Sequence, residues 1–250
     1  MRNHIRSVSR GLYLPLLVVG LVAAGCSTTP VESSATRPTE AMPSSTTIPP
    51  TTTTIHRGAQ TVVVPELPPA VVDGVLTEGE WDGAAFFEMS DGVPIRLMRN
   101  DETLYLSVEG TDLGSVNVVM AISYEIWILH SSAALGSALY TPDGDTWELA
   151  HGFSWCCRDS SDTTARMALL ETEGWQANIG FTGTPGIVEY EISMPWAGSM
   201  VAVSTIRSDE DTGFWPGALS DEARLQLIGV PPPMRAFHRA EWVVLDTADS

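Results

Sequence analysis

Short runs in which apolar and polar residues alternate set the fold class of this chain. In residues 104–108 the apolar side chains of Leu104, Leu106 and Val108 share one parity, and residues 187–192 alternate in the same way. A strand turns successive side chains to opposite faces, so such a run has one buried face and one polar face. Strands of this kind are typical of antiparallel sheets that pack face to face.

Similar runs recur between Gly, Asp, Asn and Pro residues throughout the region 61–250. Runs rich in Val, Ile, Leu, Tyr and Trp predict strands over 86–89, 95–100, 104–110, 116–129, 134–140, 147–155, 177–182, 188–195, 224–228 and 242–245.

One segment, 163–173, is rich in good helix formers instead. Ser161 or Asp162 precedes it as a candidate N-cap, and Gly174 follows it as a stop signal. Its Met167, Leu169 and Leu170 predict an apolar stripe against a sheet edge. The predicted fold is all-β, an immunoglobulin-like or jelly-roll-like antiparallel β-sandwich with one short inserted helix, in a single domain over 61–250.

The amino terminus has the pattern of a bacterial lipoprotein signal peptide over residues 1–25. Arginines precede an apolar run at 12–22, which is shorter than the roughly 20 residues that span a bilayer, and small residues 23–25 lead to Cys26. The pattern predicts cleavage before Cys26 and attachment of fatty acyl chains such as palmitate to it. The protein is then held on the extracytoplasmic face of the cell membrane. Ordinary signal cleavage and a short membrane anchor are the alternatives.

Residues 26–60 contain a Ser/Thr/Pro-rich tract with few large apolar side chains. Such a composition cannot bury enough surface to offset chain entropy, which predicts a disordered linker between anchor and domain.

The charge balance excludes one class of partner. The net charge is −18, and removal of residues 1–25, with three arginines and no acidic residue, moves it to −21. Such a chain is repelled by phosphate polyanions, so nucleic acid is not an expected partner. We expect the folded domain to be a monomer.

The domain keeps two cysteines, the neighbours Cys156 and Cys157. An oxidising compartment permits a disulfide, but neighbouring residues of a regular strand point to opposite faces. Two free thiols and a vicinal disulfide both stay open.

Four motifs, in order, resemble the DOMON-like domains related to family-nine carbohydrate-binding modules. Residues 72–81 read VDGVLTEGEW, 99–106 read RNDETLYL, 188–196 read VEYEISMPW and 241–245 read EWVVL. The resemblance implies a β-sandwich that binds sugars in some members and haem or other ligands in others. No residue of the family's ligand sites can be matched here, because residues 128–178 follow no family pattern. The framing residues Trp81 and Trp196 are interpreted as core aromatics.

The best local cluster for a sugar site comprises Trp155, Arg158, Trp175, Gln176 and Asn178. These residues supply two aromatic faces, a guanidinium group and two amides, which are groups that bind a pyranose. The short helix reverses the direction of the chain, so that the five residues could lie close together. In the alternative, the two tryptophans pack the helix onto the sheet. The expected ligand is a carbohydrate or another small molecule, bound without catalysis.

Other chemistry has weaker support. Metal-ligating residue types occur at His130, His151, Cys156 and Cys157 without a recognised spacing, and 143–145 is interpreted as a turn rather than a calcium loop. A structural calcium elsewhere on the acidic surface stays open.

A noncovalent haem is the second hypothesis, with Met120, Met167, His130 and His151 as the available axial ligands. An envelope interaction protein without a small-molecule site is the third. No common catalytic motif occurs, and the carboxylate pairs at 78/80 and 189/191 are interpreted as a solvated strand face.

Overall fold

The computed structural model describes residues 59–157, 162–180, 186–208 and 211–247. The predicted signal peptide, Cys26, almost all of the linker and Arg158 lie outside these ranges. In chain order the strands are β1 (Thr61–Val64), β2 (Ala85–Glu88), β3 (Pro94–Asn100), β4 (Thr103–Gly110), β5 (Leu113–Ile122), β6 (Glu125–Ser131), β7 (Leu135–Asp143), β8 (Thr146–Cys156), β9 (Trp175–Gly180), β10 (Gly186–Ile192), β11 (Met200–Arg207), β12 (Thr212–Trp215), β13 (Met234–Arg235) and β14 (Val243–Thr247). The helices are α1 (Thr163–Glu173) and α2 (Asp221–Leu225), and a 3₁₀ turn covers Arg239–Glu241.

The strands form two sheets, which confirms the all-β sandwich. The large sheet has the order β1-β14-β11-β5-β6-β7-β8-β13, with β12 also paired to β11, and the small sheet has the order β2-β3-β4-β10-β9. Strand neighbours are antiparallel except for the parallel pair β1 and β14.

The main core lies between the sheets and follows the alternation in the sequence. Leu104, Leu106 and Val108 of β4 face it, as do Val188 and Tyr190 of β10. Burial of such side chains is the main favourable term in folding.

A second core covers the outer face of the large sheet. Ile126 and Ile128 of β6 pack there with Phe237 and Trp242 from the segment after α2. Because β5 and β6 are buried on both faces, 116–129 reads as one apolar run, and the prediction of one strand was wrong. A turn around Ser123, with a φ of 53°, separates the two strands.

The first motif packs on the outer face of the small sheet. Val72 and Trp81 contact Met98 and Tyr105 there. Glu189 of β10 holds this segment, because its carboxylate accepts from the backbone N–H groups of Asp73 at 3.1 Å and Gly74 at 2.8 Å and from Trp81 Nε1 at 3.3 Å.

Helix α1 has the predicted bounds. Asp162 caps it by accepting from the Ala165 N–H at 3.0 Å, and Gly174 ends it with a φ of 75°. The predicted apolar stripe holds for Leu169, which is buried, but was wrong for Met167, which is 49% exposed. Arg166 is buried instead and donates to the Val72 carbonyl at 2.9 Å.

Four strands were missed, and the strand predicted over 224–228 was also wrong. Residues 224–228 overlap α2, which begins after the N-cap Ser220. The missed strands are β1, β11, β12 and β13.

Candidate functional site

The β7–β8 hairpin extends the large sheet and forms one wall of an open groove. Residues 143–146 close the hairpin, with Asp143 paired to Thr146. From Ala150 to Cys156, β8 pairs only with β7 among the described residues, and most of its side chains are exposed or half-buried.

The groove has a volume of about 460 Å³, and we call it the hairpin groove. It is lined by residues of β6, β7 and β8 and by the last residue of α1: Trp127, Ser137, Ala138, Leu139, Ala150, His151, Gly152, Ser154 and Glu173. An indole, an imidazole, two hydroxyls and a carboxylate thus border one concave space, together with apolar surface. This combination is typical of a small-molecule site.

A hydrogen-bonded relay fixes the carboxylate of the hairpin groove. The buried indole of Trp175 donates from Nε1 to Ser137 Oγ at 2.8 Å, and Ser137 Oγ donates to Glu173 Oε2 in a short hydrogen bond. Because the indole N–H donates to Ser137, the serine hydroxyl hydrogen is directed at Glu173. Glu173 Oε1 has no hydrogen-bond partner among the described residues.

Helix stability does not explain an acidic residue at this position. Glu173 is the last residue of α1, where the helix dipole disfavours negative charge, and the last turn holds no basic residue.

A second carboxylate lies beside the indole of the hairpin groove. Trp127 Nε1 donates to Glu125 Oε2 at 3.0 Å, and Trp127 is half-buried against the main core. The indole is therefore held in place while part of it stays open.

Of the five residues predicted as a sugar site, the four that the structure describes do not share a surface. Trp175 has no exposed area and lies between the sheets, stacked on Tyr190 with ring centroids 6.0 Å apart. Gln176 and Asn178 have the opposite parity in β9 and lie on the outer face of the small sheet, where Gln176 Nε2 donates to Glu191 Oε2 at 2.6 Å.

Trp155 lies elsewhere, on the outer face of the large sheet, and is 54% exposed. It forms a ring cluster with Phe153 at 4.9 Å and His130 at 5.3 Å between centroids. The ring lies over Gly136, where a Cβ atom would be 2.9 Å from Trp155 Cε3. The absence of a side chain at Gly136 therefore makes room for the indole.

Cys156 and Cys157 form a vicinal disulfide. Cys157 has a φ of 54°, so the regular strand ends there and the two sulfur atoms can meet. Of the two states left open by the sequence, the structure contains the bridge.

The candidate metal and haem ligands do not converge. No group of three or more His, Cys, Asp or Glu residues in the described ranges could hold a metal ion. Met120 faces the main core, whereas His130 lies on the opposite face of the large sheet and pairs with Asn117 Oδ1 at 2.7 Å and Ser132 Oγ at 2.9 Å. Its burial lowers the pKa of His130.

The interpretation of the 189/191 pair as a solvated face was wrong for Glu189. That side chain has no exposed area. Burial raises its pKa from 4.5 to about 7, although three N–H groups donate to it and oppose the rise, and the nearby charge of Glu80 adds to it. Its role in the fold is to hold the 72–81 segment.

No helix in the described part of the chain is long and apolar enough to cross a membrane. Comparison with known proteins found no matching family model, no similar curated protein and no matching solved structure.

Of the residues that line the hairpin groove, sequence reasoning singled out only His151, and as a metal or haem ligand. Trp127 lies within the long apolar run 116–129, and Glu173 was noted only as the end of the predicted helix. The sequence did contain a signal against the predicted sugar site. In β9, Trp175 alternates with polar residues and lies on the same strand face as Ala177 and Ile179, whereas Gln176 and Asn178 lie on the opposite face. That alternation assigns the indole to the core and the amides to the other face.

Proposed function

We propose that the chain is a membrane-anchored lipoprotein whose DOMON-like β-sandwich binds a carbohydrate in the hairpin groove without transforming it. The observation that carries the proposal is the groove itself, where Trp127, Glu173 and two serine hydroxyls border one open space. A pyranose has an apolar face that stacks on an indole and equatorial hydroxyls that donate to carboxylates.

The order of the four sequence motifs and the lipoprotein signal support the proposal from outside the site. The signal would deliver the domain to the cell surface, where polysaccharides are abundant. The linker would set the distance between the lipid and the groove.

Two tryptophan variants on opposite faces of the hairpin test the proposal. A glycan array and calorimetric titration of the purified full chain would use wild type, Trp127→Ala and Trp155→Ala. We expect a saccharide to bind wild type and Trp155→Ala equally, and Trp127→Ala at least about fivefold more weakly, if a sugar ring gains from the indole about the 1–3 kcal/mol that a stacked base gains from an aromatic side chain.

The matched control is Trp155→Ala, because it removes the same indole group from a position outside the hairpin groove. Loss of binding in Trp155→Ala with retention in Trp127→Ala would move the site to the ring cluster and overturn the assignment to the groove. Absence of any saccharide binding by wild type would overturn the proposed function.

A further inference from the structure

The hairpin groove carries negative charge and has no described arginine in its lining. Its lining contains Glu173, and Glu125 borders its indole, while none of the described lining residues is an arginine. The chain contains no lysine. A ligand that enters this groove therefore meets a carboxylate that forms no ion pair with a described arginine.

The geometry of Glu173 leaves one oxygen for a ligand. Ser137 donates to Oε2, and Trp175 orients Ser137 in turn. A carboxylate held in this way is preorganised, so little conformational entropy is lost when Oε1 accepts a hydrogen bond.

We propose that the hairpin groove selects saccharides that carry a protonated amine, which donates to Glu173 Oε1. This inference rests on the proposed carbohydrate-binding function and names the class of sugar. A hydrogen bond to a charged group contributes more than a neutral one, and the indole face of Trp127 also favours a cation. The net charge of −18 concentrates cations around the protein.

The experiment compares two oligosaccharides of equal length, a glucosamine oligomer and its N-acetylated form, by calorimetric titration of the full chain. The acetyl group removes the charge but keeps the pyranose ring. We expect the glucosamine oligomer to bind wild type about tenfold or more tightly than the acetylated oligomer, which corresponds to a difference of one charge-assisted hydrogen bond.

Two variants on α1 separate the specific contact from general attraction. Glu173→Gln is expected to abolish the preference for the amine, and Glu171→Gln, which removes the same charge from an exposed position two residues earlier, is expected to keep it. If both variants weaken the glucosamine oligomer equally, the attraction is nonspecific and the inference fails.

Two further outcomes distinguish the inference from the proposed function. Equal or tighter binding of the acetylated oligomer by wild type would refute the inference and leave carbohydrate binding intact. Failure of both oligomers and of every neutral saccharide would refute both. Salt titration of wild type needs no variant: added salt should weaken the glucosamine oligomer and leave the acetylated oligomer unchanged, and a response that is equal for the two would contradict the inference.

Discussion

Glu189 makes the stability of the sandwich depend on pH in a direction that can be worked out. Its carboxyl group has no exposed area, and burial raises its pKa from 4.5 to about 7 in the folded protein. The folded state therefore holds this proton more tightly than the unfolded state. The stability that the protonated group contributes is fully present below pH 4.5 and is lost as the pH rises through about 7.

The size of the effect follows from the two pKa values. Between about pH 5 and about pH 8, ionisation of Glu189 should lower the free energy of unfolding by about 2–3 kcal/mol.

Glu189→Gln isolates the contribution. The amide oxygen can still accept from the N–H groups of Asp73 and Gly74, but the amide NH₂ faces the Trp81 N–H, so one hydrogen bond worth about 1 kcal/mol is lost. We expect the variant to be nearly as stable as wild type near pH 5 and about 2 kcal/mol more stable near pH 8.

Urea unfolding of wild type and Glu189→Gln across this pH range measures the difference, with the exposed Glu78→Gln as a control. The difference between the Glu189→Gln and wild-type curves should grow by about 2–3 kcal/mol in favour of the variant from pH 5 to pH 8, and Glu78→Gln should follow wild type. A pH-independent difference would show that Glu189 is ionised in the fold throughout, and the burial argument would be refuted.

The remaining predictions concern Trp155, Trp175 and Cys26. Trp175→Ala should lower the free energy of unfolding by about 3–5 kcal/mol, because it empties part of the main core. Trp155→Ala should lower it by about 1 kcal/mol or less, because the Trp155 side chain is 54% exposed. Urea unfolding measures both losses, and equal losses would contradict the assignment of the two rings to different environments. Cys26→Ser should release the protein from membranes in fractionated cells and abolish labelling by radioactive palmitate. Membrane retention of the unlabelled variant would refute lipid anchoring at that residue.

Local signals sufficed for some elements of the fold. Helix α1 was predicted to the residue because Asp162 and Gly174 mark its ends by capping chemistry that depends only on neighbours. The strands β4 and β10 were recognised because each has one apolar face.

The features that were not predicted depend on contacts between residues far apart in the sequence. The turn at Ser123 was missed because the second core, built from a segment about 100 residues later, makes both faces of β5 and β6 apolar. Glu173 meets Ser137 only because β7 lies beside the end of α1, and no pattern in the sequence states that pairing. Glu189 looks like any strand glutamate until the 72–81 segment covers it.

The position of β1 at one edge of the large sheet has a mechanical consequence. β1 lies at one edge of the large sheet, and the hairpin that borders the groove lies near the other, five to six strand spacings or about 25–30 Å away. If, as proposed, a lipid anchors the chain before β1 and a polysaccharide binds in the groove, tension between the two attachments passes through the strands from β1 to the hairpin. The hydrogen bonds between neighbouring strands, rather than the linker, then set the force that the attachment withstands.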